Sequence, residues 1–122
     1  MRYVILDTNF LYIPKQFNVD IFDEIDRLLL SYKLFIFDKT IDEIDDKTTL
    51  RLVEHKIENK SINVLKTDIS YIDNAIVDFV KAHNNEYDIV IATQDQELKK
   101  RLLDYRVSFI VLRGKNHLEL QE

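Results

Sequence analysis

The chain of 122 residues contains no cysteine, one proline and one glycine. Without cysteine there is neither a disulfide framework nor a thiolate metal site, which fits a reducing, cytoplasmic setting. With Pro14 and Gly114 as the only strong breakers, no flexible linker is visible. The expectation is one domain over residues 1–122, long enough to bury a substantial core. Long hydrophobic runs are missing too. The first apolar run stops at Asp7, too soon for a signal peptide or a membrane span, so no membrane partner is expected. In such a chain Asn59-Lys60-Ser61 carries no meaning as a glycosylation site. Histidine is scarce: His55, His83 and His117 are scattered and do not suggest a zinc site.

Excess positive charge is also absent. The net charge is −5, which argues against a simple basic nucleic-acid binder. The distribution is uneven, however. Residues 99–115 carry six basic side chains against Asp104, a net +5 that leaves −10 for the rest. Lys99, Lys100, Arg101 and Arg113 in this segment are candidates to hold phosphates; a solvated helix face would read the same way.

What is present is alternation. Short apolar runs at "YVIL", "LFIF", "INVL", "DIVIAT" and "VSFIVL" read as strands. Between them lie helical periods. One is started by Asp20 and carries Ile21, Ile25, Leu28 and Leu29. Others begin near Asp38, run through "TTLRLVEHKIENK", follow the Ile72, Ala75, Ile76, Phe79, Val80 stripe, and occupy "QDQELKKRLLDY". Strands alternating with helices imply right-handed crossovers and a parallel sheet covered on both faces. The expected fold is an α/β protein, a three-layer α/β/α sandwich around a mostly parallel five-stranded sheet. In such sheets ligands sit beyond the carboxyl ends of the strands.

Acids collect where that rule places them. Asp7 follows the first strand, Asp38 the second, and Asp95 the fourth, with Glu43 a turn into a helix. Asp73 flanks the apolar stripe of its helix and can lean toward the same edge. Each acid has a plain alternative as a helix cap or first-turn residue. Their joint occurrence points instead to carboxylates that share a cation, and oxygen-only ligands favour Mg²⁺ or Mn²⁺.

These stretches resemble the PIN-domain ribonuclease family from end to end. The strand-Asp-Thr-Asn-Phe start, Asp7 to Phe10, is similar to the family's first motif, Thr40 to Ile44 to its second, Asp73-x-x-Ile76 to its third, and "IATQDQELKKRL" to its fourth. The stretch "DTNFLYIPKQFNVDIFDEI" and the ending "FIVLRGKNHLEL" resemble archaeal members, which are similar to both rRNA-processing PIN nucleases and VapC-type toxins. The resemblance implies a metal-dependent endoribonuclease with Asp7, Asp73 and Asp95 on Mg²⁺ or Mn²⁺. It gives Glu43 a catalytic place, ligating a second ion or orienting water. Thr8 and Asn9 would hold Asp7, Thr93 would do the same near Asp95, and Glu97 stands where many members have another acid. RNA is the implied partner, single-stranded or looped, with Tyr12, Phe17 and Tyr105 as aromatics for stacking. A homodimer and an antitoxin or ribosome-assembly partner are within what the resemblance admits.

One departure matters. Close relatives often carry two tandem acids at the third motif, and here the second is Asn74. This favours an alternative, a non-catalytic PIN-like module that binds RNA or protein without cutting. A receiver domain is a weaker fit, because the middle strands lack its phosphoacceptor pattern. A structural domain whose acids are all caps is the third competitor.

Overall fold

Alternate residues of β1 (Arg2–Leu6) feed two cores. Val4 and Leu6 are buried on one side, and Ile5 on the other. A strand apolar on both faces must be covered on both faces, and the neighbouring strands repeat the pattern. In β2 (Tyr32–Phe37), Leu34 and Ile36 join the first core while Phe37 joins the second. In β4 (Asp88–Ala92), Val90 and Ala92 oppose Ile89 and Ile91 in the same way. The computed structural model describes all of residues 1–122.

Helices cover the two faces. The first core receives Ile13 from α1 (Ile13–Phe17), Ile21 and Ile25 from α2 (Ile21–Leu28), and Val53 from α4 (Lys47–Glu58). The second receives the stripe of α5 (Ile72–His83) with Leu98 and Leu102 of α6 (Gln96–Leu102). A short α3 (Asp38–Glu43) follows β2 directly. Helix starts are written locally. The Asp20 carboxylate accepts from the amides of Phe22 at 3.0 Å and Asp23 at 3.1 Å, and Asp46 caps α4 through Thr49 N at 2.9 Å. Asn59 closes α4, and its side chain accepts from Ser61 N at 3.0 Å, so the would-be glycosylation triplet is a turn.

The sheet has six strands in the order β3-β2-β1-β4-β5-β6, with β3 at Ile62–Leu65 and β5 at Val107–Arg113. All pairings are parallel except β5 with β6 (His117–Gln121). The five expected strands are therefore joined by a sixth. Its hairpin turns on Gly114 (φ 59°) and Lys115 (φ 60°), both left-handed, with Asn116 N bonded to Arg113 O at 3.3 Å. Three residues, Gly114 to Asn116, connect the paired Arg113 and His117, and the single glycine takes a left-handed position that costs it nothing for want of a Cβ. The α6 helix stops at Leu102, short of the expected Tyr105, because the chain must turn to enter β5.

Chain order reverses between β1 and β4: from β1 the chain passes to β2 and β3 on one side, then returns to β4 on the other. Crevices in open α/β sheets form at such a switch point, beyond the carboxyl ends of the strands. Asp7 follows β1 by one residue, and Thr93, Gln94 and Asp95 follow β4.

Candidate active site

The backbone ladder runs directly into the site, since the Asp7 amide donates to Ala92 O at 3.0 Å. Asp7 itself is only 7% exposed. Its Oδ1 accepts from Thr8 N at 2.9 Å, which caps the 3-10 turn at Thr8–Tyr12. Its Oδ2 accepts from the Thr93 hydroxyl at 2.7 Å. So Asp7 caps a helical turn and still presents a carboxylate to the cavity.

Thr93 is fully buried and does two things. Besides donating to Asp7, its hydroxyl oxygen accepts from Asp95 N at 3.0 Å, which ties together the two acids of the switch point. Asp95 in turn caps α6, accepting from Glu97 N at 2.9 Å and Leu98 N at 3.2 Å. The Asn9 side chain holds the same loop by accepting from Gln94 N at 3.2 Å. Gln94 continues the chain of bonds to β5, accepting from Leu112 N at 3.1 Å. Sequence reading did not single out Gln94; nothing but its place beside Asp95 could have flagged it.

From the other side, Thr8 Oγ1 donates to Glu43 Oε1 at 2.7 Å and draws the end of α3 to the site. Asp73 enters from the first turn of α5. One cavity of about 290 Å³ is lined by Asp7, Glu43, Asp73 and Asp95 together with Thr8 and Asn9. Asp38 is not among them. It accepts from Lys39 N at 2.9 Å and Thr67 N at 3.2 Å, pinning the segment after β3.

Electrostatically the cavity is unbalanced. Burial raises the Asp7 carboxyl above its ordinary value, the Thr93 and Thr8 hydrogen bonds oppose this, and the Asp95 and Glu43 charges add to it. No lysine, arginine or histidine is ion-paired with Asp7, Glu43 or Asp95. Asp73 does have a partner: Arg101 forks across α5, giving one nitrogen to Asp73 Oδ2 at 3.2 Å and the other to Asn74 Oδ1 at 2.9 Å. Four carboxylates with no imidazole or thiolate on the lining are the donor set a hard divalent cation takes. In the conformation shown, no three acidic or imidazole side chains converge on a single ligation point.

The remaining expected residues lie elsewhere. Glu97 is off the lining, strongly exposed, and pairs with Lys100 at 3.5 Å. Lys99 donates to Gln121 at 2.8 Å and lies over the Phe109 ring. Arg113 pairs with Glu119 across the hairpin at 3.6 Å. Of the three aromatics considered, only Tyr12 lines the acid cavity; Phe17 packs on the first core and Tyr105 on the second. Tyr71, which no motif marks, lines the cavity as well.

Comparison with known proteins adds to this geometry. The family model described as "PIN like domain" matches residues 4–115. Ribonuclease VapC4 of Methanocaldococcus jannaschii is 26% identical over 132 residues, covering 98% of this chain and 97% of that protein. The structure of the PIN domain endonuclease Utp24 superposes with a TM-score of 0.79 at 23% identity, over 97% of this chain and 90% of that one. The T5 D15 protein co-crystallised with metal ions is a more distant likeness, at 10% identity and a TM-score of 0.55. It covers all of this chain and 57% of that one.

Proposed function

The chain belongs to the PIN-like domain family, and from that premise we propose that it is an endoribonuclease dependent on Mg²⁺ or Mn²⁺. The observation that carries the reading is the cavity at the β1/β4 switch point, walled by Asp7, Glu43, Asp73 and Asp95. The ribonuclease name of the VapC4 relative and the endonuclease name of Utp24 support it.

Asp7, Asp95 and Asp73 are the residues that would hold the cation, with Glu43 beside them. Bound there, a divalent ion supplies Lewis-acid polarisation of a phosphodiester and a water of lowered pKa. The protein's own part is orientation. Thr93 fixes Asp7 and the backbone of Asp95 with one hydroxyl, and Thr8 fixes Glu43. The Asn9–Gln94 bond keeps the loop after β4 against the turn after β1. Carboxylates this crowded repel one another and repel RNA until a cation offsets them. Lys99, Lys100, Arg101 and Arg113 remain our assignment for the flanking phosphates, each exchanging its present partner for the RNA backbone. The substrate is single-stranded or looped RNA, in rRNA processing or as a toxin-type nuclease.

The test is a pair of measurements on the parent and on the Asp7→Asn, Asp95→Asn double variant. Mn²⁺ should raise the melting temperature of the parent alone, and only the parent should cut RNA. A parent that neither binds metal nor cleaves would support instead the non-catalytic binding module, which the Asn74 departure favours.

A further inference from the structure

Two tyrosines line the acid cavity, and they are in different states. Tyr12 is committed: its hydroxyl donates to Asp45 Oδ1 at 3.2 Å, and its ring packs against the first core. Tyr71 is 70% exposed. No hydrogen bond of its side chain and no aromatic neighbour engages it. Its backbone, by contrast, is anchored. Tyr71 is the N-cap of α5, its carbonyl accepts from Ala75 N at 3.0 Å, and the next residue, Ile72, is buried at 3%. Other large apolar side chains are exposed, among them Leu30 and Leu103, but Tyr71 alone of these stands at the acid cavity.

A free ring on a fixed backbone beside a wall of carboxylates suits one part of a nucleic acid better than another. The carboxylates repel a phosphate unless a cation intervenes. A nucleobase is uncharged and offers a flat face to a flat ring, with no demand on sequence. We propose that Tyr71 is the stacking platform for an unpaired base next to the phosphate held at the acid cavity. This rests on the nuclease reading above and deepens it: the substrate must be single-stranded, or splayed out, at that nucleotide.

The chain has no tryptophan, so Tyr71→Trp would carry a single indole at the position in question. The probe is an oligoadenylate of about ten nucleotides, with Ca²⁺ in place of the catalytic ion so that binding is read without cleavage. A second oligonucleotide of the same length with an abasic backbone is the control. Stacking predicts quenching of the Tyr71→Trp fluorescence by the first and not by the second. In anisotropy titrations of otherwise unchanged protein, Tyr71→Ala should weaken oligoadenylate binding about 5- to 150-fold, and Tyr71→Phe should keep it within about 2-fold. Melting temperatures of all three variants should match the parent, as the ring is exposed. If the parent binds and Tyr71→Ala binds equally well, the assignment is overturned and the ring is left to a protein partner. If Tyr71→Ala weakens abasic binding as much as oligoadenylate binding, the contact is not stacking and the assignment is again overturned. If the parent neither binds nor cuts RNA, the nuclease reading fails and this inference fails with it.

Discussion

The two ends of the sheet carry cavities of opposite character. At the amino ends of β1, β4 and β5 lies the larger, about 520 Å³, with Arg2, Asp88, Arg106 and Glu122 on its walls. At the carboxyl ends lies the smaller, about 290 Å³, with four acids. In the larger one Arg2 answers two of the acids, sitting 3.5 Å from Asp88 and 3.5 Å from Glu122. In the smaller one three of the four acids have no basic partner, and one of these, Asp7, is buried. Size does not locate chemistry here. The proposed function follows uncompensated charge of one sign instead, because a fold keeps such a cluster only at a cost that a ligand can offset.

The sharpest way to break this comparison is at the acids. Asp7→Asn and Asp95→Asn should each lower RNA cleavage about 100-fold or more, the loss of several kcal/mol of transition-state stabilisation. Asp7→Asn should nevertheless melt no lower than the parent, since it removes a buried, repelled charge. Asp95→Asn should keep its cap, because asparagine caps as well as aspartate. Rates and melting curves on the same preparations decide; intact cleavage in either variant would end the distinction between the two cavities.

A smaller effect should follow from Thr93→Val, which keeps shape and removes the hydroxyl shared by Asp7 and Asp95. Leaving buried Asp7 Oδ2 without its donor should cost about 1–3 kcal/mol in urea unfolding. Mn²⁺ affinity by calorimetry should fall about 10- to 100-fold, the usual consequence of losing a group that orients a ligand.

Away from both cavities, Asp46 gives a pH-dependent effect. Its carboxyl is held well below the ordinary range by Lys15 first, then by the Thr49 hydroxyl and amide. A depressed folded pKa stabilises above the unfolded value and the stabilisation disappears as pH falls through the folded one. The stability lost in Asp46→Asn should thus be fully visible at neutral pH and shrink below about pH 4, where an unfolded aspartate protonates. A gap that persists unchanged at low pH would show that the charge plays no part.

The smallest effect belongs to the larger cavity. Asp88→Asn removes a partly exposed pairing with Arg2, worth less than about 1 kcal/mol, and should leave cleavage at the parent rate. A marked loss of activity there would give the amino-end cavity a role in the chemistry.

Much of this was legible beforehand. Strand β3 runs over the four residues of "INVL", and α5 starts at Ile72, where the apolar stripe begins. The family follows from the match over residues 4–115. Being a cap does not take Asp7 or Asp95 out of the cavity, because each caps with one oxygen and lines the cavity too. Strand β6 was not legible, although Leu118 and Leu120 alternate with polar residues after the Gly114 turn. A short alternating segment is a weak signal, and an antiparallel edge does not follow from a βαβ pattern. The present partners of Lys99, Lys100, Arg101 and Arg113, the candidates to hold phosphates, were not legible either, because each partner is supplied by the fold within the chain.

What the sequence determined by itself was everything carried by near neighbours: the strand and helix periods, the Asp20 and Asp46 caps, the single glycine in a left-handed turn, and an acid after β1 and β4. Such features depend on residues a few positions apart, and their physics is written in the order of the chain. Only the tertiary structure decided that Thr93 joins Asp7 across 86 positions, that Arg101 clasps Asp73 across 28, and that Tyr71 rather than Phe17 or Tyr105 stands open at the acids. Hydrogen bonds and ion pairs act over a few ångströms, so their partners are chosen by which strand ends the sheet order brings together.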